Sequence, residues 1–144
     1  MQFLEKLKPL GLLVLRVALG TAFMFHGYPK ISDSHRWVQM MPKMGFPGYF
    51  AYIAGVLETF GGGLLIIGLF TRGAALLLAI EMAAALVKTH IPAVGIYAVG
   101  KYEVPLVFGA AALALATTGA GLISLDALTF ESSRKSGKKF KSKN

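Results

Sequence analysis

The sequence contains no cysteine in its 144 residues. That absence excludes disulfide bonds, thiolate metal sites and any thiol redox chemistry carried by the chain itself. Charged residues are also scarce, since Asp, Glu, Lys and Arg together make up only 15% of the chain. Soluble domains usually carry about 25% charged residues. The low charge indicates a chain whose solvent is mostly lipid.

Apolar residues are abundant instead, at 55% of the chain with a mean hydropathy of +0.61. A membrane helix needs about 20 mostly apolar residues to cross roughly 30 Å of hydrocarbon. Four runs approach that length, at residues 9–27, 48–70, 73–91 and 104–125. The pattern predicts an all-α membrane protein, a four-transmembrane-helix bundle that occupies residues 9–127.

Polar segments flank this predicted membrane domain at residues 1–8 and 128–144. Lysine and arginine tend to remain on the cytoplasmic side of a membrane. With both termini inside, nine of them lie on the cytoplasmic side and five outside. We therefore expect cytoplasmic termini and a disordered basic tail that is attracted to anionic membrane lipids. Nucleic acid is not an expected partner, because neither interleaved aromatic residues nor a basic folded face accompanies the charges.

The long connection at residues 31–47 carries a stripe of aromatic and methionine side chains. The side chains expected to face lipid or to cover the mouth of the bundle are Trp37, Met40, Met41, Met44 and Phe46. Methionine sulfur also suits soft metals such as Cu(I), but no cysteine accompanies it and the spacing matches no recognised site. The sequence therefore predicts no metal site.

Three ionisable residues interrupt the apolar runs, and burying charge in hydrocarbon normally requires a partner or a water-filled cavity. Arg16 is expected about 10 Å deep from the cytoplasmic side, Glu81 about 12 Å from that side, and Glu58 about 15 Å from the other. Similar depths predict a buried ion cluster, our candidate for a catalytic group. In it Arg16 would pair electrostatically, while the two carboxyls would hold or transfer a proton.

A second polar group is expected at the outer end of the bundle, where it would form a ligand-binding rim. Its members are His26, Lys30, Lys88 and Glu103. Glu81 and Lys88 are seven residues apart, so on one α-helix they would share a face and link the two groups. The alternative is structural: a buried arginine can hold helices in register, and lysines can extend to the headgroups.

Small residues predict close helix contacts, since Gly55, Thr59 and Gly63 recur at a spacing of four. Gly61 and Gly62 widen this stripe. None of these glycines forms a phosphate-binding loop. The chain also shows no Ser-His-Asp pattern of a catalytic triad and no metal-binding histidine pair.

Three segments are recognisable as a family pattern: LRVALGTAFMFHGYPKI, GVLETFGGGLLIIGLFTRGAA and GAGLISLD. Over residues 10–127 the chain resembles the DoxX family of small bacterial and archaeal membrane proteins. The positions that match the family are Arg16, Gly20, His26, Gly27, Lys30, Glu58, Gly62, Gly68, Arg72, Gly119, Gly121, Ser124 and Asp126.

The resemblance implies four helices in a bacterial inner membrane. It also implies association with quinone-linked redox systems, such as thiosulfate oxidation, or with oxidative-stress complexes. Members are often labelled as oxidoreductases by analogy alone. Because this chain has no cysteine, sulfur chemistry would belong to a partner, and no haem ligand pair or flavin motif is evident.

Our leading hypothesis is a subunit or accessory of such a complex, with a pocket for a quinone and a redox partner protein. His26 and Glu103 would then lie beside the quinone headgroup. A non-catalytic scaffold and a small proton-coupled permease are the alternatives, and a permease of four helices would need a homo-oligomer. Whether the chain is an enzyme is left open by the residues.

Overall fold

Helices of very different length follow one another along the chain. The computed structural model describes residues 2–131. In chain order the α-helices are α1 (Gln2–Ser32), α2 (Ser34–Met40), α3 (Phe50–Ile67), α4 (Thr71–Ala85), α5 (Ile91–Val94) and α6 (Glu103–Thr118). Shorter turns are 3-10 helical at Met41–Met44 and Val99–Lys101, and π-helical at Leu86–His90 and Ala127–Glu131.

Three stretches are long and apolar enough to cross a membrane: Phe3–Ser32, Phe50–Ile67 and Thr71–Val94. A shorter apolar helix, Glu103–Thr118, completes the set among the described residues. Their outward side chains are apolar, with Val14 60%, Phe60 66% and Leu77 53% exposed. Lipid would cover this surface, and the predicted all-α membrane bundle is confirmed.

The helix bounds differ most from the apolar runs at α1 and at the end of α6. α1 extends in both directions beyond residues 9–27, because the polar residues that flank an apolar run can still be helical. α6 ends at Thr118 rather than at residue 125, since Gly119 and Gly121 adopt positive φ angles of 84° and 78°. The basic tail expected after residue 127 lies outside the described residues from residue 132 onward.

The bundle consists of two helix pairs, α1 with α3 and α4 with α6, which are joined where α3 packs against α4. All four helices contribute to one apolar core. Its buried members are Leu19, Phe23, Leu65, Ala74, Ala75, Leu78, Met82, Ala112 and Leu115. α1 and α6 contact each other much less extensively than the members of either pair.

Glycines set the distance between α1 and α3. A Cβ atom added to Gly62 would lie 2.5 Å from the carbonyl oxygen of Gly20, and one added to Gly20 would lie 2.5 Å from that of Gly62. The same close approach continues toward the C-terminal end of α1, where Gly27 faces Thr59. Gly63, expected in the contact stripe, has no neighbour within 4 Å of its added Cβ. Adjacent residues of an α-helix point in directions about 100° apart. Gly62 therefore faces α1, and Gly63, which the sequence predicts in that contact, does not.

Candidate functional site

A cavity of about 470 Å³ lies at the end of the bundle where α1 and α4 finish and α3 and α6 begin. Its wall is mostly apolar and aromatic, with a few convergent polar groups, which is the usual character of small-molecule sites. The polar lining residues are His26, Lys30, Glu58, Glu81, Thr89, His90 and Lys101. Two of the three predicted intramembrane charges and two of the four predicted rim residues are therefore in one place.

Glu58 and Lys30 form an ion pair in the wall of this cavity. The Lys30 ammonium donates a hydrogen bond to Glu58 Oε2, and only 13% and 3% of the two side chains are exposed. The close approach of α1 and α3 makes the pair possible, since a Cβ added to Gly55 would lie 3.0 Å from Lys30 Cβ. The Lys30 ammonium also lies 5.5 Å from the centre of the Trp37 ring. Both charges are thus compensated inside the bundle.

Glu81 differs from Glu58 because its Oε2 atom is buried and accepts no hydrogen bond from any residue between 2 and 131. It reaches the cavity from α4. Lys30 is already bound to Glu58. Glu81 therefore keeps, at Oε2, hydrogen-bonding capacity that no residue between 2 and 131 uses.

Two histidines also border the cavity, and they differ in how they are held. His90 Nδ1 lies 3.0 Å from the carbonyl oxygen of Ala85. Because a carbonyl only accepts, Nδ1 carries the proton in this contact, and a neutral ring leaves Nε2 as an acceptor. His26 packs edge-on against Phe108 with ring centres 5.5 Å apart.

The segment from Ser34 to Phe46 forms one wall of the cavity and is called the cover here. Trp37, Met41, Met44 and Phe46 of the cover line the cavity. Its far end is held by Thr89, whose hydroxyl donates to the carbonyl oxygen of Met44 at 3.1 Å. Four of the five side chains of the predicted aromatic and methionine stripe thus line the cavity, and Met40 does not.

Arg16 does not join the two glutamates, which corrects the predicted three-residue cluster. Its guanidinium donates to the carbonyl oxygens of Leu65 at 2.9 Å and Ile66 at 3.1 Å, near the end of α3. It also donates to those of Ala120 at 2.6 Å and Ile123 at 2.7 Å, after α6. Leu65 is seven residues beyond Glu58, so this site lies about 10 Å farther along α3.

The physical reason is that the last carbonyls of a helix have no partner within it. A buried guanidinium with five N–H donors satisfies several of them at once. Asp126 completes this region, since its carboxylate accepts hydrogen bonds from the backbone N–H groups of Phe70 at 2.7 Å and Thr71 at 2.9 Å. The Arg16 region is thus a structural connection between helix ends.

Lys88 and Glu103 do not line the cavity, so the predicted rim is only half assembled there. Both residues are exposed. Lys88 belongs to the π-helical turn, whose i to i+5 bonding disrupts the seven-residue spacing that would place it on the face of Glu81. Its ammonium instead lies 5.3 Å from the centre of the Phe46 ring.

Comparison with known proteins identifies the family. A family model described as DoxX matches residues 11–91, which is more than half of the chain. The chain belongs to the DoxX family. The resemblance found in the sequence is therefore confirmed. None of the solved structures matches this DoxX protein significantly.

Three curated relatives cover most of this DoxX protein. "Putative oxidoreductase CatD" of Bacillus subtilis is 30% identical over 122 residues, 85% of this chain and 89% of the relative. An uncharacterized protein of Haemophilus influenzae is 35% identical over 130 residues, 88% and 96% of the two chains. "Inner membrane protein YphA" of Escherichia coli is 34% identical over 127 residues, 83% and 90%. With the apolar helices, these relatives indicate a bacterial membrane protein.

Sequence reasoning missed some residues of the site in this DoxX protein. Phe108 of α6 and Phe50 of α3 line the cavity, and Lys101 borders it from the connection before α6. The phenylalanines lie within apolar runs, where an aromatic that faces a cavity looks the same as one that faces lipid. The sequence carries no signal that separates the two.

Proposed function

We propose that this DoxX protein is an inner-membrane subunit or accessory of a quinone-linked redox or oxidative-stress complex, and that its cavity binds the quinone headgroup. The observation that carries the proposal is the combination of an aromatic wall with Lys30, Glu58, Glu81 and His26 in one intramembrane cavity. A quinone headgroup is a flat ring with polar oxygens, which suits such a lining. The name of the CatD relative supports an oxidoreductase association.

The position of the cavity mouth suits a ligand that arrives from the bilayer. Phe25 and His26 of α1 and Val104 of α6 line the cavity and are also exposed on the bundle surface. The cavity therefore reaches the surface between α1 and α6, which contact each other much less extensively than the members of either helix pair. A lipophilic molecule can enter there without crossing water.

Proton transfer gives the charged residues a role in this proposal. A protonatable group beside a quinone can supply the proton that follows an electron. Glu58 and Glu81 are the carboxyls of the cavity, and Lys30 offsets the charge of one of them. The electrons would come from a redox partner protein, since the chain itself offers no thiol and no recognisable cofactor motif.

Trp37 makes the proposal directly testable, because it is the single tryptophan of the chain and lines the cavity. Purified protein in detergent micelles is titrated with short-chain ubiquinone and menaquinone analogues while tryptophan fluorescence is recorded. We expect saturable quenching. Glu58→Gln should weaken binding about tenfold or more, because it leaves the Lys30 charge without its partner.

Glu5→Gln is the matched control, since Glu5 is an exposed carboxylate near the opposite end of α1 that pairs with Lys8. Its binding curve should match that of the wild type. Quenching that stays linear with quinone concentration would contradict the proposal, as would equal binding by the wild type and Glu58→Gln. Such results would favour a scaffold or a permease.

Partners and topology form part of the proposal. Membrane lipids surround the bundle, the termini face the cytoplasm, and a redox protein or a second copy of the chain binds it. Native mass spectrometry on protein extracted gently from its own membrane tests these associations. A stoichiometric protein partner together with quinone supports the complex, whereas a partner without quinone supports a scaffold.

A further inference from the structure

We infer that Lys30 couples the charge of Glu58 to the position of the cover, so that neutralising Glu58 loosens this wall of the cavity. Lys30 is here a positioning residue, because it acts through Trp37 of the cover and not on a ligand. The inference rests on the proposed function for the event that neutralises Glu58, a proton transfer beside a quinone. The coupling itself needs no ligand.

The Lys30 ammonium makes two contacts that belong to different elements. It donates a hydrogen bond to Glu58 Oε2 on α3. It also lies 5.5 Å from the centre of the Trp37 ring on α2. Only 13% of the Lys30 side chain and 3% of the Glu58 side chain are exposed. The position of one largely buried charge therefore determines both contacts.

Packing alone attaches α2, the first part of the cover, only weakly. None of its seven residues is buried. The backbone leaves the helical conformation at Asp33, between α1 and α2, with a φ of −118° and a ψ of 50°. Near the other end of the cover, Gly45 has a positive φ of 81°. Because few buried apolar contacts hold α2, its position depends on side-chain contacts such as that of Trp37 with Lys30.

Loss of the Glu58 charge removes the partner that keeps the Lys30 ammonium inside the bundle. Burying an unpaired charge costs more than an aromatic ring can offset. Lys30 lies two residues before the end of α1, so its flexible side chain can extend to the headgroups. It can also turn toward Glu81 of α4, with which it interacts electrostatically. Either movement withdraws the ammonium from Trp37, and α2 loses this attachment.

Other titratable groups line the cavity together with Glu58 and would respond to pH as well. They are His26 on α1, Glu81 on α4, His90 in the π-helical turn and Lys101 before α6. Substitution isolates Glu58 from these groups. Glu58→Gln removes the charge and keeps the shape of a protonated carboxyl.

The test measures acrylamide quenching of Trp37, the single tryptophan, in detergent micelles without quinone. We expect the quenching constant to rise about twofold in Glu58→Gln, since loss of a cation–ring contact favours a detached α2 by a factor of about 2 to 30. Lys30→Leu should cause a similar rise. The two substitutions combined should raise quenching no further than either alone, because both remove the same connection.

Lys30→Arg is the conservative variant, since a guanidinium can bind a carboxylate and lie over an aromatic ring. Its quenching constant should stay near the wild-type value. Glu103→Gln is the matched control, because Glu103 is an exposed carboxylate at the same end of the bundle that does not line the cavity. Its quenching should match that of the wild type.

Circular dichroism shows whether each variant keeps its helices. If a variant with one unpaired charge does not fold, the doubly neutral Lys30→Leu/Glu58→Gln and Lys30→Arg still decide the question. The first should then expose Trp37 to acrylamide, and the second should not.

Two results would overturn the inference. Unchanged quenching in Glu58→Gln shows that the cover does not respond to the charge of Glu58. An equal rise when Glu58→Gln is added to the wild type and to Lys30→Leu shows that the response bypasses Lys30. Neither result affects the proposed function, which is tested by quinone binding, and absence of quinone binding would leave the coupling in place.

Discussion

Among single residues, Arg16 is the most demanding one to bury. Its side chain is 1% exposed, yet no carboxylate forms a direct ion pair with it in the described part of the chain. Four carbonyl oxygens take that place, and the negative end of the α3 dipole lies beside the guanidinium. A Cβ added to Gly68 would lie 2.7 Å from Arg16 Cζ, so even the neighbouring backbone is shaped to admit this side chain.

Arg16→Lys should destabilise the protein despite keeping the charge. An ammonium is a compact point charge and cannot span carbonyls of both the α3 end and the segment after α6. We expect a loss on the order of 3 kcal/mol, the cost of about two charged hydrogen bonds. The midpoint of thermal unfolding in detergent measures it.

Arg72→Lys is the matched control, since Arg72 is exposed and, within residues 2–131, donates a single long hydrogen bond of 3.4 Å to the Thr118 carbonyl oxygen. The free energy of unfolding of this variant should remain within about 0.5 kcal/mol of the wild-type value. Equal midpoints for Arg16→Lys and the wild type would show that the four carbonyl contacts contribute little.

Between elements, the contact of α1 with α3 determines whether Lys30 can reach Glu58. The two backbones approach closely because Gly20 and Gly62 present no side chain. In lipid, where the hydrophobic effect does not drive helix association, such contacts depend on close van der Waals packing. The position of the ion pair is therefore a consequence of glycine placement elsewhere on the same helices.

Gly62→Ala should separate the helices, because its new methyl group would lie 2.5 Å from the Gly20 carbonyl oxygen. Overpacking of this kind costs about 1 to 3 kcal/mol. Gly63→Ala is an adjacent control whose methyl group meets nothing within 4 Å. Thermal unfolding should distinguish the two variants, and equal midpoints would contradict the close-contact explanation.

The cover is a second element whose attachment can be tested. Thr89→Val keeps the shape of residue 89 and removes the hydroxyl that donates to Met44. We expect a loss of about 0.5 to 1.5 kcal/mol from this contact, with more frequent opening of the cover. Collisional quenching of Trp37 by acrylamide should therefore increase.

Thr117→Val provides the control for that measurement. In the described part of the chain its hydroxyl bonds only to backbone carbonyls of α6, away from the cover. Acrylamide quenching of this variant should match the wild type. An unchanged quenching constant in Thr89→Val would show that the Met44 contact does not hold the cover.

For the whole molecule, the two ends of the bundle have different characters. One end holds the cavity, the cover and the segment before α6. The other holds Arg16, Asp126 and the N-terminal turns of α1 with their lysines. If the termini are cytoplasmic, as the lysine and arginine distribution predicts, the cavity lies toward the outer face of the membrane.

The absence of native cysteine makes this orientation easy to test. Tyr97→Cys places a thiol at a 97% exposed position in the segment before α6. Lys6→Cys places one on the exposed first turns of α1. A membrane-impermeant maleimide added to intact spheroplasts should label Tyr97→Cys, and should label Lys6→Cys only after the membrane is opened.

The reverse labelling pattern would place the cavity toward the cytoplasm. Labelling of both variants in sealed spheroplasts would contradict opposite locations for these two positions. Expression and membrane insertion are checked by labelling both variants after detergent solubilisation, when each thiol should react.

The sequence by itself determined the membrane class, the all-α bundle and the family. Those properties depend on apolar run length and on a motif, both of which are local along the chain. It also indicated that Glu58, Glu81, His26 and Lys30 are unusual, because charge is costly in lipid wherever it occurs. It could not assign their partners, since run length measures depth and not the direction in which a side chain points.

Only the tertiary structure decided that Arg16 binds helix ends and that Lys30 pairs with Glu58. The first depends on unpaired carbonyls contributed by segments 49 to 107 residues away along the chain. The second depends on the glycine contact between α1 and α3, and the outward position of Lys88 depends on a π-helical turn. Side-chain partners are a property of how helices cross and rotate, and that information arises only when the bundle has assembled.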